Sequence, residues 1–133
     1  MKVFVCVDEK LGVAFNNRRQ SRDSVIALKM IEMSEGKKLY INEYSSKLFS
    51  DFSVVAVDND FLNKAKEDDY CFVELNSLAE YDDKIDTIIL FKWNKVYPSD
   101  MKLEIDFSVR KLDSSFDFVG TSHDKITCEV WTK

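Results

Sequence analysis

The sequence predicts an α/β fold in which a mixed sheet lies between two layers of helices. Two observations support this prediction: short apolar runs alternate with helical segments up to Pro98, and period-two patterning without a convincing helix follows it. The first pattern is typical of parallel strands with crossover helices, and the second favours antiparallel pairing. We therefore expect a three-layer mixed sheet, mostly parallel in its N-terminal part, with an antiparallel C-terminal β region.

The individual elements follow from local patterns. Residues 2–7 are apolar on both alternating faces, which is typical of a central strand covered on two sides. Residues 23–34 are apolar on nearly every turn and precede Gly36, a suitable C-terminal cap, so they predict a largely buried helix. The later predicted strands are 38–41, 52–57, 70–75 and 86–91, with helical or turn segments at 42–49, 58–66 and 77–83. Beyond Pro98 the predicted strands are KLEID, FSVRKL, FDFVG and ITCEVWT.

Length and composition limit the classes of protein. A chain of 133 residues with 45% hydrophobic content can bury one core, so we expect a single domain over residues 1–133. The net charge of -5 disfavours general binding to nucleic acid or to an anionic membrane surface. No apolar run approaches the roughly 20 residues that span a bilayer, and the N-terminal segment becomes charged early, so we expect a cytoplasmic protein. Cys6, Cys71 and Cys128 lie in apolar runs and are interpreted as buried free thiols.

The most unusual local feature is FNNRRQSRDS, residues 15–24. It contains Arg18, Arg19 and Arg22, which are three of the four arginines of the chain. In the predicted fold this loop leaves the carboxyl end of a central strand and enters a helix N-terminus, where open α/β sheets bind ligands. Cations there oppose the helix dipole, so their clustering indicates an anionic partner carrying phosphate or carboxylate.

An alternative is that acidic neighbours satisfy these arginines. Asp8, Glu9 and Asp23 are close in sequence and would form surface ion pairs of about 0–1 kcal/mol each. The loop would then be an ordinary solvated surface.

Two other predicted strands end at the same edge of the sheet. Asn42, Tyr44 and Ser45 follow one of them, and Trp93 and Asn94 follow the other. The aromatic rings would stack on a planar ligand and the asparagines would read its polar edge. Trp93 also fits a core position, since aromatic residues after strands are commonly buried.

His123, in GTSHDKIT, is the only histidine of the chain. A single histidine excludes zinc triads and two-histidine metal sites within one chain, so we predict no metal site. The residue is either a capping or solvent-exposed turn residue or a proton donor in a pocket. A Ser-His-Asp triad is disfavoured, because no serine has a Gly-x-Ser-x-Gly context.

The order of elements resembles that of dihydrofolate reductases. An apolar strand is followed by VDE, by Gly12 and Asn16 in a loop, and by Asp23 in the first turn of a helix. The later strands, helices and terminal β-hairpin follow the same order. In that family the acid at the helix start assists protonation of the pterin, so the resemblance implies a catalytic role for Asp23. An acid at this position is also an ordinary helix cap.

Several family motifs are replaced in this chain. The sequence RRQSR stands where dihydrofolate reductases have Pro-Trp, NEYS stands in place of the dinucleotide-contacting Gly-Arg-x-Thr, and KWN stands in place of Gly-Gly. These departures argue against reductase activity, and we expect no cofactor. The segments FNNRRQSRD, NEYSSKLF and SHDKIT also resemble a short bacterial family of unknown activity sometimes named ribonuclease Z. Ribonuclease Z enzymes hold two metal ions through a His-x-His-x-Asp-His motif, which a chain with one histidine lacks.

Taken together, the residues predict a binder of an anionic small molecule of phosphate-, nucleotide- or pterin-like character at the carboxyl edge of the sheet. The expected ligand-binding residues are Arg18, Arg19, Arg22, Asn42, Tyr44, Ser45, Trp93 and Asn94, and the expected catalytic residues are Asp23 and His123. The alternative is a protein-interaction domain whose arginines meet an acidic partner or a second copy of the chain. A metal-dependent nuclease is the third hypothesis.

Overall fold

Ten strands form two sheets in the computed structural model, which describes residues 1–133. The strands are β1 (Lys2–Val7), β2 (Gly12–Phe15), β3 (Arg18–Arg19), β4 (Leu39–Ile41), β5 (Val55–Val57), β6 (Tyr70–Phe72), β7 (Thr87–Lys92), β8 (Met101–Lys102), β9 (Lys111–Phe118) and β10 (Ile126–Thr132). The main sheet has the order β5-β4-β6-β1-β7-β10-β9. Pairing is parallel from β5 to β7, and β10 pairs antiparallel with both β7 and β9. The predicted fold class is confirmed.

The central position of β1 follows from its apolar residues on both faces. Val3, Val5 and Val7 pack into one buried apolar cluster, while Phe4 packs into a second cluster on the opposite face of the sheet. Successive side chains of a strand point to opposite faces, so a strand that is apolar throughout must be covered on both sides. The sheet is accordingly the middle layer of three.

Helices cover the two faces. The α-helices are α1 (Ser24–Met33) and α2 (Phe61–Lys64), and the 3-10 helices are Glu43–Phe49, Ala79–Lys84 and Phe107–Val109. α1 buries Ile26, Ala27 and Met30 against the Phe4 side, and α2 buries Phe61 and Leu62 against the other. None of these helices has the length and apolar character needed to cross a membrane.

Several predicted elements are shorter or tighter than expected. Residues 42–49 form a 3-10 helix, the predicted helix at 58–66 is reduced to four residues, and part of FSVRKL forms a 3-10 turn. Side-chain hydrogen bonds explain two of these differences: Asn42 accepts from the Ser45 N–H and Asp106 accepts from the Ser108 N–H. Such local bonds compete with regular helix and strand pairing.

The segment after β1 forms strands β2 and β3, which pair with β8 in a small sheet of order β3-β2-β8. The prediction of this segment as a plain loop is wrong. Asn16 and Asn17 both have positive φ, at 55° and 59°, and connect Phe15 to Arg18 in a two-residue hairpin. Asparagine tolerates this left-handed conformation, which two-residue hairpin turns require. Arg18 and Arg19 therefore lie on a strand, where neighbouring side chains point in opposite directions.

Candidate functional site

A cavity of about 360 Å³ opens at the carboxyl edge of the parallel strands. It is bounded by α1, by the end of the 3-10 helix Glu43–Phe49, and by side chains that follow β3, β6 and β7. Its apolar lining consists of Cys6, Ile26, Ala27, Met30, Leu48, Phe72 and Trp93. Its polar lining consists of Ser21, Arg22, Asp23, Ser24, Lys47, Ser50, Asp51, Glu74, Thr121 and Ser122. A concave apolar site with a few convergent polar groups has the character of a small-molecule pocket.

Asp23 lies at the start of α1 with its carboxylate buried. Oδ1 accepts hydrogen bonds from the N–H groups of Val25 and Thr121, at 3.0 and 2.9 Å. Oδ2 accepts from the Ser122 N–H and from Nδ1 of His123, both at 2.9 Å. Burial alone would raise the pKa of Asp23, but the hydrogen bonds from Thr121, His123, Ser122 and Val25 together lower it below its usual range. The residue is therefore an ionised cap that joins α1 to the turn before β10.

Gly120 is needed for this close approach. A Cβ placed on Gly120 would collide with the Asp23 carboxylate. The Gly120 N–H donates to the carbonyl of His123 at 2.9 Å, which closes the turn around Asp23. The glycine thus allows the turn backbone to reach the carboxylate.

His123 is buried and stacks on Trp93, a residue of the cavity lining, with ring centroids 4.5 Å apart. Because the ionised Asp23 carboxylate can only accept, Nδ1 of His123 carries the hydrogen of that bond. The other ring nitrogen, Nε2, lies 3.0 Å from the Ser21 hydroxyl and 3.3 Å from the Tyr97 hydroxyl. His123 is thus enclosed by polar groups and lies outside the solvent-exposed turn surface.

Arg19 is held by an ion pair at the same edge of the sheet. Its Nε and Nη2 donate to the two carboxylate oxygens of Glu74 at 2.7 and 2.9 Å. The Arg19 guanidinium also lies over the Tyr44 ring, 4.3 Å from its centroid, and its backbone N–H donates to the Tyr44 hydroxyl. Ser45, fully buried, donates its hydroxyl to Glu74 at 2.7 Å. The hydrogen bonds with Glu74 raise the pKa of Arg19 further, so its charge is permanent and already neutralised.

The other two clustered arginines have no acidic partner. Arg22 is exposed and lines the cavity, and Arg18 is exposed on the far side of β3, away from the cavity. Lys47 lines the cavity mouth as a further exposed, unpaired cation. Asp51, at the same mouth, is an exposed carboxylate without a partner.

The expected local acids do not pair with these arginines. The Asp8 carboxylate accepts from the N–H groups of Gly12 and Tyr97 and from Gln20 instead, and Glu9 forms no ion pair. Of the three clustered arginines, only Arg19 pairs with a carboxylate. Its partner is Glu74, which lies 55 positions away in sequence.

The two asparagines of the predicted site brace the backbone. Asn42 caps the 3-10 helix Glu43–Phe49, and Asn94 donates to the carbonyl of Lys125 and to the hydroxyl of Thr127. Neither lines the cavity. The structure therefore brings Arg22, Asp23 and Trp93 to one cavity, joins Arg19, Tyr44 and Ser45 in a network beside it, and places Arg18, Asn42 and Asn94 elsewhere.

Sequence reasoning missed eight of the ten polar residues that line the cavity, namely Ser21, Ser24, Lys47, Ser50, Asp51, Glu74, Thr121 and Ser122. Only Glu74 carries a local signal, because it is a charged residue at the end of the apolar run 70–75. No group of three or more His, Cys, Asp and Glu side chains is placed to hold a metal ion.

The three thiols are free, and two of them are buried. Burial raises the pKa of Cys71 and Cys128 to about 12. Cys6 is half-buried and lines the cavity, and its thiol pKa is raised by burial and then by the nearby Glu74 carboxylate. The thiols are therefore protonated and unreactive near neutral pH.

The whole chain, including the edge of the sheet that carries the cavity, was compared with known proteins and is similar to a known fold. No protein-family model matches the chain, and no curated protein sequence matches it. Among solved structures it is similar to a dihydrofolate reductase from Enterococcus faecalis in complex with NADP(H) and RAB-propyl, with a TM-score of 0.68 at 11% identity, over 98% of this chain and 94% of that chain. This chain has a dihydrofolate reductase-like fold. The resemblance in element order is thereby confirmed, and identity this low shows the dihydrofolate reductase-like fold alone.

Proposed function

We propose that this protein binds a small anionic molecule with an apolar part in the cavity at the carboxyl edge of the sheet. The observation that carries the proposal is the pair of unpaired cations, Arg22 and Lys47, at the mouth of an apolar cavity of about 360 Å³. Ligands of phosphate-, nucleotide- or pterin-like character combine these two features.

The charges around the cavity favour an anion. Asp23 has its carboxylate occupied by hydrogen bonds, and Glu74 is neutralised by Arg19, so neither is free to repel a negative ligand at close range. The free charges are two cations and one carboxylate, Asp51. A charge-assisted hydrogen bond from a guanidinium to phosphate or carboxylate contributes about 1.5–3 kcal/mol.

The floor of the cavity suits an apolar or planar group. Its apolar lining includes Ile26 and Met30 from α1 and Leu48 from the 3-10 helix, together with Phe72 and Trp93 from the sheet region. Such a lining excludes water around a ring-sized group and leaves the polar mouth for its charged substituent.

The experiment is a thermal-shift screen followed by calorimetry. The panel contains inorganic phosphate, nucleotides, folates and nicotinamide dinucleotides, and a ligand at 100 times its Kd stabilises the protein by about 2.7 kcal/mol. Arg22→Ala and Lys47→Ala should each weaken the selected ligand about tenfold, because each removes one charge-assisted contact. Arg18→Ala, which removes an arginine of the same cluster that does not line the cavity, is the matched control and should leave the affinity unchanged. Absence of stabilisation by the whole panel, or equal weakening by Arg18→Ala, would contradict the proposal.

A second candidate function rests on the hairpin tip. Phe15 is exposed and pairs across the hairpin with Arg18, so an apolar ring and a free guanidinium lie together on the surface. A surface of this kind suits an acidic protein partner or a second copy of the chain. Arg18→Ala should then disrupt a complex seen by size-exclusion light scattering, while Arg22→Ala should not. The same two variants thus separate the two candidate functions.

A further inference from the structure

Two residues of the cavity lining, Ser21 and Asp23, and the buried His123 form one continuous hydrogen-bonded chain. The Ser21 hydroxyl lies 3.0 Å from Nε2 of His123, and Nδ1 of His123 lies 2.9 Å from Oδ2 of Asp23. The sequence separations are 102 and 100 residues, so the dihydrofolate reductase-like fold alone brings the histidine to the other two. Nucleophile, base and orienting carboxylate stand in this order in serine hydrolases of unrelated folds.

The hydrogen-bond geometry suits that arrangement. The Asp23 carboxylate accepts from Nδ1, which leaves Nε2, 3.0 Å from the Ser21 hydroxyl, as the ring nitrogen positioned to take the serine proton. Hydrogen bonds from the N–H groups of Thr121 and Ser122 hold Asp23 in place. Stacking on Trp93 fixes the plane of the His123 ring. The base is thus oriented before any substrate binds.

The three residues differ in how far they are exposed to solvent. Ser21 is half-exposed and lines the cavity, whereas His123 and Asp23 are buried at 5% and 8% exposure. The residue after Ser21 is Arg22, whose backbone N–H makes no hydrogen bond within the chain. In hydrolases the N–H of the residue that follows the nucleophile commonly stabilises the oxyanion. Arg22 therefore offers an unpaired backbone donor in the position next to Ser21.

Tyr97 is the other group that reaches the histidine. Its hydroxyl lies 3.3 Å from Nε2, longer than the 3.0 Å contact of Ser21. Tyr97 does not line the cavity, whereas Ser21 does. Of the two residues, only Ser21 both contacts the base and belongs to the cavity lining.

We propose that Ser21 is a nucleophile for acyl transfer, with His123 as general base and Asp23 as its positioning residue, acting on small esters bound in the cavity. The inference goes beyond the proposed function: it uses the same cavity but does not require an anionic ligand.

In the first half-reaction the Ser21 Oγ forms a bond to the ester carbonyl carbon and its proton passes to Nε2 of His123. The carbonyl electron pair moves to oxygen, which the Arg22 N–H stabilises. The bond from carbon to the leaving alkoxy oxygen then breaks, and the alcohol departs with the proton from Nε2. Water repeats the sequence on the acyl-enzyme, releasing a carboxylic acid and restoring the Ser21 hydroxyl.

The test is covalent labelling with an uncharged alkyl fluorophosphonate, followed by intact-protein mass spectrometry and peptide mapping. The Ser21 Oγ displaces fluoride from phosphorus, so the wild-type protein should gain one adduct, located on Ser21. Ser21→Ala should gain none. Labelling of His123→Gln should be slower than that of wild type by about 100-fold or a larger factor, because this variant lacks the base. Ser114→Ala, which removes an exposed serine on β9 outside the cavity, should be labelled at the wild-type rate.

The proposal is overturned if the wild-type protein gains no adduct under conditions that fully label a serine esterase run in parallel. Equal labelling of Ser21→Ala and wild type would also overturn it. If His123→Gln fails to fold, as judged by circular dichroism, the half-exposed Ser21→Ala still decides the outcome. Labelling of Ser21 without anion binding would reject the proposed function alone, and anion binding without labelling would reject this inference alone.

Discussion

Two arginines lie at opposite ends of the main sheet, and both are paired with acids. Arg110 lies at the amino end of the parallel strands with a fully buried side chain, and its Nη2 donates to a carboxylate oxygen of Asp82 at 2.8 Å and to the carbonyl of Ile85 at 2.7 Å. Arg19 lies at the carboxyl end with 21% of its side chain exposed and donates to Glu74 at 2.7 Å. Only the second pair lies beside the large cavity.

The comparison distinguishes charged side chains that are already paired within the fold from those that are free to bind a ligand. A buried guanidinium needs partners wherever it lies, so pairing by itself says nothing about function. At the amino end, Arg110 does not line a cavity of comparable size, and no group of free charges lies with it in one. At the carboxyl end the paired Arg19 stands next to two cations without partners, Arg22 and Lys47. The unpaired charges beside a cavity distinguish the two ends.

Arg110→Met should give the largest loss of stability and no change at the cavity. The variant leaves Asp82 and several backbone carbonyls without their donor, which costs about 3–5 kcal/mol for a buried pair. The free energy of unfolding from urea titration is the measurement. Arg18→Met, at an exposed position, is the control and should change it by less than about 0.5 kcal/mol. If Arg110→Met alters ligand affinity at the cavity as strongly as it alters stability, the separation of the two ends fails.

Asp23→Asn should give a smaller loss that depends on pH. The asparagine oxygen can still cap α1, but the charge that accepts from Ser122 and His123 is lost, which costs about 2 kcal/mol at pH 7. The pKa of Asp23 is lower in the folded protein than in the unfolded chain, so its carboxylate stabilises the fold above about pH 4 and that contribution is lost as the pH falls further.

Urea titrations of wild type and Asp23→Asn between pH 7 and acid measure this effect. The difference between the two proteins should shrink below about pH 4. Asp113→Asn, on the exposed face of β9, is the matched control and should give a small difference at every pH. A difference for Asp23→Asn that stays constant with pH would show that the charge of the carboxylate is not what stabilises the turn.

The fold was predictable because its signals are local. The all-apolar run of β1 and the change of pattern after Pro98 depend only on neighbouring residues, and they were enough to predict a parallel part and an antiparallel part. The resemblance in element order to dihydrofolate reductases added the position of Asp23 at the start of α1.

The chemistry of the site was less predictable because it depends on long-range pairing. The turn Asn16–Asn17 leads into strand β3, on which the side chains of Arg18 and Arg19 point in opposite directions. No local pattern identifies Glu74 as the partner of Arg19. Ser21 carries no sequence signal at all, since its role depends on a histidine 102 residues away. Spacing along the chain identifies a cluster of charges but not which of them are already paired.

Of these three substitutions, Glu74→Gln should cause the smallest loss of stability. It should also strengthen the binding of the anionic ligand. The glutamine oxygen can still accept from the Ser45 hydroxyl, but Arg19 loses its counter-charge, at a cost of about 1–2 kcal/mol for a partly exposed pair. Because Glu74 lines the cavity, the released guanidinium becomes a third free cation beside the bound anion. Calorimetry with the ligand selected by the panel should therefore show higher affinity for Glu74→Gln. Ser45→Ala, which removes a hydrogen bond to Glu74 without changing any charge, should leave the affinity unchanged. A lower affinity in Glu74→Gln would mean that the ligand uses the carboxylate itself, and the charge-based distinction between the two ends of the sheet would not hold.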